Sequence, residues 1–206
     1  MRVTDISPQQ RHAYIFNVYV DGKFKFGLSD TELRQHDIHI GIDITEKQID
    51  ELKHLANTSK AYSYCLNYIA RRPRSCGELA DYLRRKDYEP AVAEQVIDRL
   101  LRNKMLDDAD FARIWVENRI LLKPSSRRRL TQELRQKKIE PDIIDQILTR
   151  LDPDIELQQA CTLIQKKMKN PSYIDQQKLI QYMLHQGFPF SVVKQALELA
   201  TSEDQS

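Results

Sequence analysis

The chain has 206 residues, of which 41% are hydrophobic and 30% are charged. Its 32 basic and 30 acidic side chains leave a formal net charge of +2, which argues against a protein that binds nucleic acid through bulk positive charge. Only 5 glycines, together with many leucine, lysine, arginine, glutamate and glutamine residues, favour a mainly helical fold.

The sequence lacks the patterns typical of several classes of functional site. Cys65, Cys76 and Cys161 are too few and too scattered for a disulfide framework or a zinc site. We find neither a glycine-rich phosphate loop nor a serine–histidine–aspartate arrangement, and no apolar run of signal-peptide or membrane-span length. We therefore expect a non-enzymatic cytoplasmic protein with no catalytic residues, metal, cofactor or membrane attachment.

Two clusters have the residue types of metal ligands, but simpler explanations are preferred. His36 and His39 lack a cysteine or a clear carboxylate partner, so we expect exposed histidines. Asp107, Asp108 and Asp110 stand where a helix is predicted to begin, and the backbone dipole favours acids there. We interpret the aspartates as helix caps.

The first part of the chain predicts a β-hairpin over Ile15–Leu28. Apolar residues alternate on both sides of Asp21-Gly22, a dipeptide suited to the positive φ angles of a two-residue turn; Phe24 and Phe26 alternate on the second strand. An isolated hairpin is marginal in water, so another strand or a helix is needed to cover its apolar face. The candidate strands are Met1–Ile6 and Ile38–Ile44, and the candidate covering helix is the first long one.

Two helix starts follow the hairpin. Ser29 is placed as the N-cap of a short helix over Asp30–His36. Thr45 precedes Gln48 by three residues, the spacing of a capping box, and a longer helix follows that residues 57–59 either interrupt or hinge.

The body of the chain contains the same sequence pattern twice, 51 residues apart and without a gap. Such a period indicates a duplicated supersecondary unit. A weaker third copy follows at an offset of 49, in which Leu179, Met183 and Phe188 take the places of Leu130, Leu134 and Ile139. The matched positions of the first two copies are Pro73/Pro124, Ser75/Ser126, Leu79/Leu130, Leu83/Leu134, Lys86/Lys137, Glu89/Glu140, Pro90/Pro141, Gln95/Gln146, Arg99/Arg150 and Leu100/Leu151.

Each copy reads as three helices separated by proline or polar turns. Ser75 lies three residues before Glu78, again a capping-box spacing, and it begins the second helix of the first copy. In the second copy the apolar face is assigned to Ile120, Leu121, Leu130, Leu134, Ile139, Ile143, Ile147 and Leu151. The predicted divisions are an N-terminal extension (1–58), three repeats (59–108, 109–154 and 155–200) and a frayed tail (201–206).

Basic side chains cluster at matching positions of the first two copies. A single such cluster is explained by an ordinary salt-bridged surface, but its repetition favours an interaction surface. A helix-turn-helix that reads DNA is a weaker alternative, because the third helices are acidic at Glu94, Asp98, Asp142 and Asp145. The basic residues are Arg71, Arg72, Arg74, Arg84, Arg85 and Lys86, followed by Arg127, Arg128, Arg129, Arg135, Lys137 and Lys138.

These motifs resemble the RecX family of recombinase regulators. Three blocks of sequence carry the resemblance. The first repeat contributes residues 70–75, Glu78-Leu79 and 83–86, and the segment that follows it contributes 107–112 and Trp115-Val116. The next block contributes 126–130 and Glu133-Leu134. The resemblance covers about 61–200, and the segment 19–24 is similar to the extension of longer members. The third copy departs from the pattern, since Lys166, Lys167, Lys169 and Lys178 replace the serine–arginine run.

The resemblance implies tandem three-helix repeats that bind in the helical groove of the RecA recombinase filament. Such proteins inhibit ATP hydrolysis, co-protease activity and strand exchange by RecA, and some also bind DNA. It implies that the twelve basic residues contact the filament, and we expect a protein that is monomeric when free. A stand-alone DNA-binding protein, for single or double strands, and a helical scaffold for another protein remain the alternatives.

Overall fold

Strands precede helices along the chain in this computed structural model, which describes residues 1–10, 12–170 and 175–203. The described part confirms a mainly helical protein with a small N-terminal β structure. The strands are β1 (Val3–Gln9), β2 (His12–Val20) and β3 (Lys23–Ser29). The helices are α1 (Asp30–Gln35), α2 (Glu46–Ile69), α3 (Cys76–Arg84), α4 (Pro90–Arg102), α5 (Asp108–Leu122), α6 (Arg127–Gln136), α7 (Pro141–Thr149), α8 (Pro153–Met168), α9 (Gln176–His185) and α10 (Phe190–Glu203).

The chain divides into two compact units. The first contains Met1–Arg72 and Tyr82–Arg99, and the second contains Pro73–Asp81 and Leu100–Ser206. In sequence order the helices form the predicted triplets α2–α4, α5–α7 and α8–α10. The predicted limits of the individual domains stay a prediction.

The N-terminal strands form one antiparallel sheet in the order β1-β2-β3. Asp21 and Gly22 have φ angles of 49° and 73°, which confirms the predicted turn of the hairpin. The strand expected over Ile38–Ile44 is wrong: only an isolated bridge joins Arg2 to Asp43. Gly41, at a φ of 94°, turns the backbone there and ends any extended run.

The two phenylalanines of β3 do not share one face, contrary to the predicted alternation. Val18 pairs with Phe26 but Tyr19 pairs with Phe24, so β3 carries one extra residue at this point. Such a bulge reverses the facing of the residues beyond it. Phe26 is buried, whereas Phe24 is exposed beside the Tyr19 ring.

Helices α1 and α2 cover the sheet and complete its core. Both predicted caps are confirmed, because Ser29 and Thr45 each form a capping box with the residue three positions on. Helix α2 passes through residues 57–59 without interruption. The buried core of this region comprises Val3, Val18, Val20, Phe26, Leu28, Leu33, Ile44, Ile49 and Leu52.

The second and third repeats each enclose a separate apolar core. Leu130 and Leu134 are buried as predicted, but Leu121 is 81% exposed and does not belong to the core. Ile144 and Leu148 are the buried residues of α7, and the predicted Ile143 and Ile147, one position before them, are partly buried against the same core. In the third repeat Leu179, Met183 and Phe188 are buried, which confirms the weaker copy.

The second helix of every repeat ends in a left-handed turn. Asp87, Lys138 and Gly187 occupy the equivalent position, with φ angles of 59°, 58° and 89°. The next residue donates its N–H to a carbonyl five positions back, as Ile139 does to Leu134 at 3.1 Å. The turn is therefore a property of the repeat, and glycine occupies it only in the third copy.

Buried serines connect successive second helices within the second unit. The hydroxyl of Ser75 accepts the Glu78 N–H at 3.1 Å and donates to the Lys137 carbonyl at 2.6 Å. The hydroxyl of Ser126 accepts the Arg129 N–H at 3.2 Å and donates to the Gln186 carbonyl at 2.8 Å. We call the contacts of residues 75–81 with the end of α6 the first junction, and those of α6 with the end of α9 the second junction.

An acidic side chain reinforces each junction at the same point. The Cys76 N–H donates to the Asp108 carboxylate at 2.8 Å, and the Arg127 N–H donates to the Glu156 carboxylate at 2.9 Å. Each acid lies near the start of the following repeat's first helix. Two otherwise orphaned donors at a helix start are thereby satisfied by the next repeat.

A glycine faces a long side chain at both junctions, but on opposite sides. In the first, a Cβ added to Gly77 would overlap the Cβ of Lys138. In the second, the equivalent of Gly77 is Arg128, and its Cβ would lie 3.3 Å from one added to Gly187. The two elements approach closely at both junctions. The glycine that permits this lies on the helix in the first junction and on the turn in the second.

The third repeat begins its second helix with Asp175 where the others have serine. Its carboxylate accepts the Gln177 N–H at 2.9 Å. An ionised carboxylate accepts hydrogen bonds but cannot donate one. Asp175 therefore caps α9 as the serines cap their helices, but an ionised carboxylate could not donate onward as they do.

Replacing Ser126 with alanine is expected to lower the free energy of unfolding by about 1–3 kcal/mol, because a cap and a buried inter-repeat hydrogen bond are both lost. The matched control Asp175→Ala removes a cap alone and should cost less, about 0.5–2 kcal/mol. Urea denaturation measures both values. Equal losses would contradict the double role of the serine.

Gly77→Ala is expected to destabilise the protein by about 1–3 kcal/mol through overpacking, although helix propensity alone favours alanine by about 1 kcal/mol. The double variant Gly77→Ala/Lys138→Gly, compared with Lys138→Gly alone, should recover the loss, because it recreates the second junction's arrangement. Thermal unfolding provides the measurement, and a stabilised single variant would disprove the steric argument.

Candidate partner-binding surface

Arg127, a predicted contact residue, is held by the chain's own backbone. Its guanidinium donates to the carbonyls of Leu148 at 2.9 Å and Leu151 at 3.2 Å, at the end of α7. Its Nε lies 3.8 Å from the Glu156 carboxylate. The residue therefore positions α6 against α7 and α8.

Three further predicted contact residues also bind within the chain. Arg129 donates to the Gln186 side chain at 2.5 Å and lies 3.6 Å from the Glu133 carboxylate. Lys137 pairs with Glu78 at 2.8 Å, and Lys138 pairs with Asp81 at 2.5 Å. The three side chains strengthen the junctions.

Arg128 and Arg135 differ from these neighbours. Both are exposed on α6, and neither guanidinium forms a hydrogen bond or ion pair within residues 1–10, 12–170 and 175–203. Sequence clustering placed all six cations of the second repeat in one group, but the structure separates these two exposed arginines from the four that bind within the chain.

The six basic residues of the first repeat lie near the ends of its second helix. Arg71 and Arg72 are exposed in the turn after α2, and Arg74 is half-buried. Arg84 and Arg85 are exposed at and just beyond the end of α3. Arg84 is the equivalent of Arg135, so one exposed arginine occurs at the same place in both repeats.

A cation lies over an aromatic ring in every repeat. Lys86 lies over Tyr64 at 5.2 Å, and its equivalent Lys137 lies over Trp115 at 4.8 Å. In the third repeat Lys167 lies over Tyr182 at 4.4 Å. These contacts bind the first helix of a repeat to its second helix or the following turn.

The first repeat adds more rings around Lys86. Tyr68 and Tyr82 stack at 4.1 Å with an interplanar angle of 5°, and Tyr64 meets Tyr88 edge-on. Burial raises the pKa of the Tyr88 hydroxyl to about 12. The sequence interpretation missed this tyrosine cluster, although the four-residue spacing of Tyr64 and Tyr68 along α2 places both on one helix face.

Glu133 is an acid interspersed among the basic residues of the second repeat, and it forms ion pairs there. Its carboxylate accepts the Trp115 indole N–H at 3.0 Å and the Arg119 Nε–H at 2.6 Å, and it lies beside Arg129. The charge of Glu133 is thus balanced inside the repeat.

The remaining titratable candidates are structural. Burial raises the pKa values of the Cys65 and Cys76 thiols to about 12, so both stay protonated at neutral pH. Asp107 accepts the N–H groups of Ala109 and Asp110, which confirms the predicted cap of α5. His39 contacts Asp37, and no metal-binding cluster occurs among the residues described.

Asp108 belongs to the first junction and has a raised carboxyl pKa, mainly because burial disfavours its charged form. No helix in the described ranges is both long and apolar enough to cross a membrane.

Comparison with known proteins agrees with the three-repeat architecture. Family models described as the first, second and third three-helix domains of RecX match residues 61–100, 107–148 and 154–197. Two curated relatives are both called regulatory protein RecX. One from Listeria innocua is 28% identical, with 98% of this chain and 77% of the relative covered. One from Bacillus pumilus is 29% identical, with 96% and 77% covered.

Two solved structures have the same fold. A crystal structure of regulatory protein RecX is 26% identical with a TM-score of 0.77, and 96% of this chain and 98% of that chain are covered. A RecX structure from Lactobacillus salivarius is 22% identical with a TM-score of 0.64, covering 70% of this chain and 96% of that one. With all three repeats matched in order, this chain belongs to the RecX family of regulatory proteins.

Proposed function

We propose that this protein regulates the RecA recombinase without catalysing a reaction itself. It binds in the groove of the RecA–DNA filament and mainly inhibits ATP hydrolysis, strand exchange and filament assembly. The observation that carries the proposal is the exposed arginine at the end of the second helix in both complete copies of the pattern, Arg84 and Arg135. Membership of a family of regulatory proteins supports it.

A repeated surface suits a partner that is itself repeated. Equivalent residues of successive repeats can meet equivalent sites on successive subunits of a filament, and such contacts reinforce one another through effective concentration. The fixed junctions lower the cost of binding because they hold the second helices of the second unit in place before contact.

The twelve predicted contact residues differ in exposure and in their contacts within the chain. Six exposed arginines are proposed to touch the filament, and the other six residues, which are half-buried or bound to neighbouring side chains and carbonyls, are proposed to position them. The proposed contacts are Arg71, Arg72, Arg84, Arg85, Arg128 and Arg135. The proposed positioning residues are Arg74, Lys86, Arg127, Arg129, Lys137 and Lys138.

Direct contact with DNA is a second candidate, favoured by the tyrosine cluster around Lys86. Stacked aromatic rings with adjacent cations are typical of single-strand binding surfaces. Insertion of the third helices into a groove is disfavoured, because their acids Glu94, Asp98, Asp142 and Asp145 are all exposed. DNA contact would therefore accompany filament binding.

Charge reversal of the equivalent arginines, Arg84→Glu/Arg135→Glu, is expected to weaken inhibition of the RecA DNA-dependent ATPase about tenfold. Two exposed ion pairs of up to about 1 kcal/mol each account for this size. The control Arg102→Glu/Arg150→Glu makes the same charge change at two other exposed arginines. Equal loss in both variants would indicate a net-charge effect, and no loss in either would refute the contact.

Arg127→Ala is expected to lower the free energy of unfolding by about 1–3 kcal/mol, because the α7 carbonyls and Glu156 lose a charged partner. Below its unfolding temperature the variant should still sediment with RecA filaments. Chemical denaturation and co-sedimentation measure the two effects. Unchanged stability with lost sedimentation would instead make Arg127 a contact residue.

A further inference from the structure

A polar cleft of about 390 Å³ opens at the second junction. Helix α6 forms one wall with Arg128, Arg129, Gln132 and Gln136, and the end of α9 forms the other with Gln186 and Gly187. We call this space the α6–α9 cleft. All of its walls belong to the second unit.

The equivalent positions of the first junction are filled by the chain's own ion pairs. Glu78 binds Lys137 at 2.8 Å, and Asp81 binds Lys138 at 2.5 Å. Two carboxylates on a helix therefore meet two lysines on a turn, and Gly77 lets the turn approach.

The second junction has lost both carboxylates and both lysines. Arg129 stands for Glu78, and Gln132 stands for Asp81. On the turn, Gln186 stands for Lys137 and Gly187 for Lys138. Because Gly187 has no side chain to project from the turn, the space remains open.

The walls of this cleft carry more positive than negative charge. Glu133 is the acidic residue in the lining of the cleft. Its carboxylate lies 2.6 Å from the Arg119 Nε and 3.6 Å from the Arg129 Nε, so its charge is already balanced. Arg128 is exposed and forms no hydrogen bond or ion pair within the described ranges, so its full charge faces the opening. The carboxamides of Gln132 and Gln136 are neutral and supply further N–H donors.

We propose that the α6–α9 cleft binds a carboxylate side chain of the protein partner, an aspartate or glutamate that replaces the carboxylates missing from the second junction. Arg128 supplies the charge and a two-pronged donor that fits a carboxylate, and Gln132 supplies an additional N–H. Naming RecA as the source of that carboxylate rests on the proposed function. The chemistry of the cleft does not depend on it.

A DNA phosphate backbone fits this cleft less well. DNA binding gains strength from rows of cations that follow closely spaced phosphates. The cleft instead concentrates its excess charge near Arg128, and it includes Glu133 and neutral glutamines.

The first test titrates the isolated protein with N-acetylglutamate amide while NMR follows the Arg128 Nε–H and the Gln132 carboxamide. We expect saturable shifts at millimolar concentrations, and none with the neutral probe N-acetylglutamine amide at equal ionic strength. Equal responses to the two probes would overturn the proposal. So would a single-stranded oligonucleotide that shifts these signals at lower concentration than the glutamate probe.

Two variants remove the site in different ways. Arg128→Glu reverses its charge, and Gln132→Asp restores a carboxylate at the position of Asp81, four residues after Arg128 on the same helix. Arg128→Glu should abolish the glutamate-dependent shift of the Gln132 carboxamide, and Gln132→Asp should abolish that of the Arg128 Nε–H, whereas the control Arg150→Glu should keep both. Shifts that persist in Arg128→Glu would place the anion elsewhere.

The second test measures co-sedimentation with RecA filaments. Arg128→Glu should lower affinity roughly tenfold or more, since a charge-assisted pair is lost, and Arg150→Glu should stay within twofold of the unmodified protein. Retained affinity in Arg128→Glu would overturn the proposal. If the unmodified protein does not sediment with filaments, the proposed function is wrong, and the glutamate titration decides the inference alone.

Discussion

The buried serine hydroxyl at the start of a second helix is the contact on which the helical array depends. A hydroxyl has one donor and two acceptor positions, so Ser75 and Ser126 each accept a hydrogen bond from their own helix and donate one onward. Because both residues are fully buried, a missing partner would leave a polar group unsatisfied. The hydroxyl oxygen of each serine therefore fixes the register between two consecutive second helices. The N–H groups of Cys76 and Arg127, which donate to Asp108 and Glu156, reinforce that register.

This constraint explains why neighbouring cations have different roles. Positions beside the serine contact, such as Lys137 and Arg129, face the adjoining helix and are used in the junction. Arg135, on the same helix α6, lies outside the junction and faces solvent. A basic cluster that appears uniform in sequence is thus divided by the geometry of the helix: some of its side chains stabilise the array and others are exposed to solvent.

Much of the fold was predictable because its signals are local or periodic. The hairpin turn, the caps at Ser29, Thr45 and Ser75, and the doubled pattern were predictable for this reason. The errors arose where the deciding feature was not local or not periodic: a one-residue bulge reversed Phe24, and a turn at Gly41 replaced a strand. The roles of Arg127 and Arg129 depend on partners 21 to 57 residues away, which no short window contains.

Duplication has preserved the backbone of the junctions while changing their side-chain chemistry. Serine donors and left-handed turns are common to both, so the helices meet in the same way. Because the serine hydrogen bonds fix the register, the surrounding side chains are free to differ. In the first junction they neutralise each other as acid–base pairs, whereas the second has an arginine–glutamine contact and an open cleft in their place. A junction whose register is held by serine hydrogen bonds keeps its geometry without the ion pairs, so one copy of the repeat can contain an open cleft while the other remains closed.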